Sequence, residues 1–161
     1  DLGPMFREEL RQKTKEHIRD ALEKGARLLC GGKEPEGEEY EKGFFFIPTV
    51  LIDVDHRMRI MREETFGPVM PIMVVQSLDE AIKLANDTRY GLAAYVFTKD
   101  LSKAIILAER LEAGGVAVNI NDVTELQAPF GGWKQSGIGR ELSRHALDSY
   151  LEYKHIRIGI I

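Results

Sequence analysis

Residues 92–119 read LAAYVFTKDLSKAIILAERLEAGGVAVN. Leu92 to Thr98 is an apolar run with small residues, as a buried strand needs where a helix packs closely against it. Asp100 then supplies a helix cap, and Leu101, Ala104, Ile105, Ala108 and Leu111 recur at helical spacing, predicting an inner face. Gly114-Gly115 ends that helix, and Val116 to Asn119 predicts another short strand. Working back from this stretch, Ile72-Met73-Val74-Val75 predicts a strand buried on both faces. Ser77-Leu78-Asp79-Glu80 is a capping box opening a helix whose buried stripe is Leu78, Ala81, Ile82 and Ala85. Strand, helix, strand, helix, strand at these spacings predicts an α/β fold built on a parallel βαβαβ sheet. Ligands of such sheets gather beyond the carboxyl ends of the strands, here Thr98 to Asp100 and Asn119 to Phe130.

Towards the amino terminus, Met5 to Lys24 predicts a charged amphipathic helix carrying Leu10, Ile18, Ala21 and Leu22, with Gly25 as its stop. Ala26 to Cys30 is a short apolar run. The loop after it holds Glu34, Glu36, Glu38, Glu39 and Glu41, whose interspersed Pro35, Gly37 and Gly43 keep the carboxylates from converging on a metal. Phe44 to Val54 is aromatic and β-branched but interrupted by Pro48, which predicts extended chain at or near a sheet edge. At the other end, Tyr150 to Ile161 reads as one long strand without a hairpin partner, a row of amides open to another chain.

Composition limits what such a chain can do. Its 161 residues are 43% apolar and 30% charged, which is globular, and a net charge of -4 offers no basic field for nucleic acid. One cysteine and four histidines cannot build a zinc cage or a disulfide, so no metal is expected and a reducing, cytoplasmic setting is. No apolar run approaches the roughly 20 residues of a membrane span. Asp1-Leu2-Gly3-Pro4 has neither Met nor the regions of a signal peptide, and it reads as a cut through a longer chain.

Three segments carry chemistry: Glu63-Glu64-Thr65-Phe66-Gly67-Pro68-Val69, Tyr90-Gly91-Leu92-Ala93-Ala94, and Pro129-Phe130-Gly131-Gly132 through Gly139-Arg140-Glu141. Glu64 sets an acceptor-only carboxylate beside a ring on a stiff Gly-Pro bend, and such a group can accept from both hydroxyls of a ribose. An ion-paired or capping Glu64 and a core Phe66 are the plainer alternatives. Phe130 stands at a bend where Gly131-Gly132 lets backbone approach a ligand, or else packs in the core.

In this order and with these gaps the segments resemble the carboxyl-terminal part of the NAD(P)-dependent aldehyde dehydrogenase superfamily. The likeness takes in Asp1-Leu2-Gly3-Pro4 and Gly43-Phe44-Phe45 through Val50, so it spans essentially the whole chain. The resemblance implies the oxidation of an aldehyde to a carboxylic acid with NAD or NADP. It implies that Glu64 holds the nicotinamide ribose, that Phe66 flanks the nicotinamide, and that Phe130 lines the aldehyde tunnel. Thr124 stands where many relatives carry another pocket aromatic, so a narrow apolar aldehyde is not implied. Glu141 corresponds to a residue near a proton path, and Arg140 with Glu152 to a pair that braces a subunit interface. The resemblance divides the chain into part of a catalytic domain, residues 1–147, and an oligomerisation strand, residues 148–161, through which relatives form homodimers or homotetramers.

Cys30 is not the nucleophile that this resemblance requires. The family's cysteine sits in a Gly-Gln-x-Cys setting upstream of the Asp-x-Gly-Pro segment, whereas Cys30 follows Leu28-Leu29 and is expected to be a small buried hydrophobe. No dinucleotide glycine motif, nucleophile motif or general-base motif occurs either. The chain therefore reads as the last third of such an enzyme, inactive alone. The other reading is a non-catalytic α/β module that acts through self-association of its terminal strand.

Overall fold

The computed structural model describes residues 2–160, so Asp1 of the opening motif and Ile161 of the terminal strand lie outside the described residues. The chain separates into two compact units, Asp1–Val75 and Gln76–Ile161.

In the first unit, helix α1 spans Glu8–Glu23, with Glu8 and Glu9 in its first turn, where the helix dipole favours negative charge. Its end is a Schellman motif: the amide of Ala26 donates to Ala21 at 2.9 Å and that of Gly25 to Leu22 at 3.1 Å. Strands β1 (Arg27–Cys30), β2 (Thr49–Ile52) and β3 (Val69–Ile72) form a sheet in the order β1-β2-β3, antiparallel between β1 and β2 and parallel between β2 and β3. The core lies where α1 meets this sheet and a short 3-10 turn at Arg59–Met61. It comprises Ile18, Ala21, Ala26, Phe46, Leu51, Val54, Met58 and Ile60.

In the second unit, helix α2 (Leu78–Asn86) is capped by Ser77, whose hydroxyl accepts from the amide of Glu80, while the Glu80 carboxylate accepts from the amide of Gln76 at 2.7 Å. The short strand β4 (Tyr90–Gly91) is followed by β5 (Ala93–Val96), helix α3 (Leu101–Arg110) and β6 (Gly115–Val118). Strands β5 and β6 pair in parallel, Ala93 opposite Gly115 through Val96 opposite Val118, so this stretch is one βαβ unit. Asp100 caps α3 by accepting from the amide of Lys103 at 3.0 Å. Beyond the carboxyl ends, the Asn119 side chain closes β5 onto β6: its Oδ1 accepts from the Thr98 amide and its Nδ2 donates to the Thr98 carbonyl, both at 2.9 Å. Strand β7 (Trp133–Lys134) pairs antiparallel with β4.

Several expectations change against this architecture. The parallel βαβαβ sheet does not form: among the described residues the second unit holds one parallel pair and one antiparallel pair in separate sheets. The strand predicted at Ile72 to Val75 lies earlier, at β3, where burial alternates; Val74, beyond the end of β3, is 74% exposed. Pro48 does not mark an edge, since β2 is the central strand; the proline precedes its first residue, where no ladder amide is needed. Of the predicted inner face of α3 only Ala104 is buried, and Leu101 and Ile105 are exposed. Cys30 is exposed, not buried, because it ends the edge strand β1, all of whose residues lie open. Residues 151–160 join none of the sheets and are exposed, so the terminal strand does not form within the chain.

Candidate functional site

In the first unit, the bend from Glu63 to Pro68 is built by the turn at Arg59–Met61 running into β3. Its side chains alternate. Glu63, Thr65 and Gly67 face α1; Glu64 and Phe66 are exposed, the ring by 67%. The inward set is tied down by buried polar residues. Completely buried His17 of α1 places Nδ1 3.0 Å from the Thr65 hydroxyl and Nε2 3.3 Å from the Glu63 carboxylate. A carboxylate only accepts, so the neutral ring donates from Nε2 to Glu63 and accepts the Thr65 hydroxyl at Nδ1. Arg59 grips the same carboxylate through Nε and Nη2, at 3.0 and 3.2 Å. That guanidinium, with His17, pulls the Glu63 pKa down to about 2. Burial lowers the pKa of His17, a shift that its bond to Glu63 opposes.

Gly67 is required here. A Cβ at this position would lie 2.3 Å from the hydroxyl oxygen of buried Thr14, so no larger residue lets the bend close onto α1. Between these anchors Phe66 adopts the left-handed region, φ +53°, an uncommon conformation for a residue with a side chain and one that surrounding structure must hold. Glu63 is committed to Arg59 and His17, whereas Glu64, which has no ion-pair partner among the described residues, presents an acceptor to solvent beside the projecting Phe66 ring.

In the second unit, half-buried Phe130 forms an antiparallel bridge with Glu141, each amide donating to the other's carbonyl at 2.8 and 2.7 Å. Phe130, Arg140 and Glu141 line a cavity of about 480 Å³ with Leu92, Ile138 and Tyr150. Gly114 permits this packing, because a Cβ there would lie 1.7 Å from the Gly131 carbonyl oxygen. Thr124 is not part of that lining; it is exposed, and its amide and hydroxyl both donate to Asp122. Arg140 donates to the carbonyls of Gly132 and Gly139, at 3.2 and 2.6 Å, and makes no ion pair with exposed Glu152 within the chain. Among the described residues no group of His, Cys, Asp and Glu could hold a metal ion, and no helix is long and apolar enough to cross a membrane.

With this geometry in view, comparison with known proteins is decisive. Residues 1–156 match the model of the Aldehyde dehydrogenase family. The chain belongs to the aldehyde dehydrogenase family. It is 46% identical over 157 residues to 3-sulfolactaldehyde dehydrogenase of Pseudomonas putida, an alignment covering 98% of this chain and 32% of that protein. It is 45% identical over 159 residues to the NADP(+) succinate-semialdehyde dehydrogenase of Escherichia coli, covering 99% of this chain and again 32% of the relative. Betaine aldehyde dehydrogenase of Staphylococcus aureus, solved in complex with NAD+, superposes with a TM-score of 0.91 at 45% identity, over 97% of this chain and 31% of that one. The chain thus spans about a third of the length of the aldehyde dehydrogenases it matches.

The sequence reading missed Thr14, His17, Asp20 and Arg59, which set the Glu63–Pro68 bend. A signal was present. Thr14, His17, Ile18 and Ala21 recur at helical spacing and are all buried, so two polar residues stand in the apolar stripe of α1. Leu22, which the reading placed in that stripe, is 40% exposed.

Proposed function

We propose that this chain supplies part of an NAD(P)-dependent aldehyde dehydrogenase that oxidises an aldehyde to a carboxylic acid. The observation that carries the reading is the exposed pair Glu64 and Phe66 on a bend fixed from behind by His17, Arg59 and Thr14. The donor set of a nicotinamide ribose, two adjacent hydroxyls, fits a carboxylate that no cation among the described residues claims. Glu64 would accept from those hydroxyls, and Phe66 would lie beside the nicotinamide. The dinucleotide, when bound, accepts the hydride that the aldehyde carbon loses as it becomes a carboxylic acid.

On the second unit, the proposal assigns Phe130 to a wall of the aldehyde path and Glu141 to proton movement near it. Their common place on one cavity supports this. Thr124 belongs to the substrate side in the same proposal but does not share that cavity. The nucleophilic cysteine comes from elsewhere in the enzyme: Cys30 ends an exposed edge strand whose neighbours Leu28, Leu29 and Gly31 supply no base. Cytoplasmic location belongs to the same proposal.

A second reading, compatible with the first, concerns residues 148–161. Ile156, Ile158 and Ile160 are 72%, 82% and 100% exposed, an apolar ribbon that supports self-association, with Arg140 and Glu152 meeting across the subunit boundary.

The reading is tested by incubating the full-length enzyme with NAD+ or NADP+ and a panel of aldehydes. Stoichiometric reduced nucleotide and carboxylic acid are expected. Absence of nucleotide-dependent acid formation across aliphatic, semialdehyde and amino-aldehyde substrates would overturn it.

A further inference from the structure

We propose that His17 is a positioning residue for cofactor binding: a polar ladder on α1 sets the orientation of the Glu64 and Phe66 pair. This inference rests on the reading of Glu64 as the ribose acceptor and deepens it. Thr14, His17 and Asp20 lie three residues apart, hence on one face of α1, and each meets the segment that carries the pair. Asp20 accepts from the Arg59 amide at 2.8 Å, His17 bonds Glu63 and Thr65, and the Thr14 hydroxyl sits where only a glycine, Gly67, can pass. Three residues of α1 therefore fix residues 59, 63, 65 and 67 against one rigid helix.

The consequence for the exposed residues is geometric. Burial alternates along Glu63, Glu64 and Thr65, so pinning Glu63 and Thr65 inward to one imidazole leaves Glu64 outward. The Thr65 and Gly67 contacts likewise bracket Phe66 and hold it at its positive φ. Releasing Thr65 would let the bend rotate and let Phe66 relax, which moves both groups from the cofactor's reach. His17 performs this without touching the ligand: it is wholly buried, and both its ring nitrogens are used on the bend. Arg59, already paired with Glu63 and lying 3.5 Å from Glu16, completes the support.

Steady-state kinetics of the full-length enzyme test this. His17→Phe keeps ring volume and removes both bonds; Thr65→Val removes one bond without altering α1. Each is expected to raise KM for NAD+ about two- to tenfold, the loss of one or two ordinary hydrogen bonds, while KM for the aldehyde stays put. His17→Gln, which restores a donor in place of Nε2, should recover most of the loss. In a Glu64→Gln background, His17→Phe should add less than its full rise, the remainder being the part that acts through Phe66. Unchanged KM for NAD+ in His17→Phe and Thr65→Val, with Glu64→Gln raising it, overturns the positioning role and leaves the Glu64 reading intact. Additive penalties in the double variant overturn it too. If Glu64→Gln itself has no effect, the cofactor reading falls and this inference with it. Should His17→Phe fail to fold, Thr65→Val decides alone.

Discussion

At the residue scale, two adjacent glutamates have opposite fates. Glu63 and Glu64 are the same residue type in the same motif, and periodicity alone offers no way to choose between them. The alternation of the bend decides, because a buried imidazole and a guanidinium lie on one side only. The buried imidazole makes stability depend on pH. Burial lowers the pKa of His17, which is packed against Glu63, Thr65 and Arg59, so the unfolded chain takes up this proton first as pH falls through about 6.5. Stability should therefore drop between neutrality and mildly acid pH. The carboxyls of Glu63 and of Asp55, the latter held by Arg57, are lowered to about 2, so their contribution persists above about 4.5 and is lost on further acidification. Urea unfolding midpoints across this range should fall in two limbs, and His17→Gln should flatten the upper one. A midpoint that stays level from pH 7 to about 5 in the parent chain contradicts the assignment.

At the element scale, what depends on neighbouring residues was legible and what depends on distant ones was not. Ser77 and Asp100 announce α2 and α3 because a cap is satisfied within three residues, and both helices begin at those caps. Asp100→Ala should cost about 1 kcal/mol, read as a lowered melting temperature with unchanged cofactor affinity. No loss of stability would show that the cap bond to Lys103 is not made in solution. Strand pairing is different in kind. Gly91 meets Trp133 and Ser136, more than forty positions away, and nothing local to either segment says so. The apolar runs at Leu28-Leu29, Val74 and Leu101 misled for a related reason: hydrophobicity reports that a face wants cover, and not whether the same chain provides it. In the candidate site, the bend's Gly-Pro stiffness could be read directly, whereas its anchors on α1 lie 46 and 48 residues upstream of their partners.

At the scale of the whole molecule, each compact unit has its own buried residues and also large exposed apolar ones, among them Phe6 at 83%, Ile138 at 100% and Tyr153 at 99%. Leu151, Tyr153, Ile156, Ile158 and Ile160 are all exposed within ten residues, an apolar stretch that fits a surface meeting another polypeptide. Membership of the aldehyde dehydrogenase family, with the chain spanning a third of its relatives, places those surfaces within a larger enzyme in our proposal. Removing residues 151–161 should convert an oligomeric sample into smaller species by light scattering; an unchanged mass would count against the association role of this segment. In our proposal, cofactor binding by the whole enzyme depends on Glu64. Isothermal titration of NAD+ into the full-length enzyme and its Glu64→Gln variant addresses it directly. Loss of charge-assisted bonds to two ribose hydroxyls predicts a dissociation constant raised about tenfold or more. Equal affinity in the two proteins would contradict the claim that this carboxylate holds the cofactor.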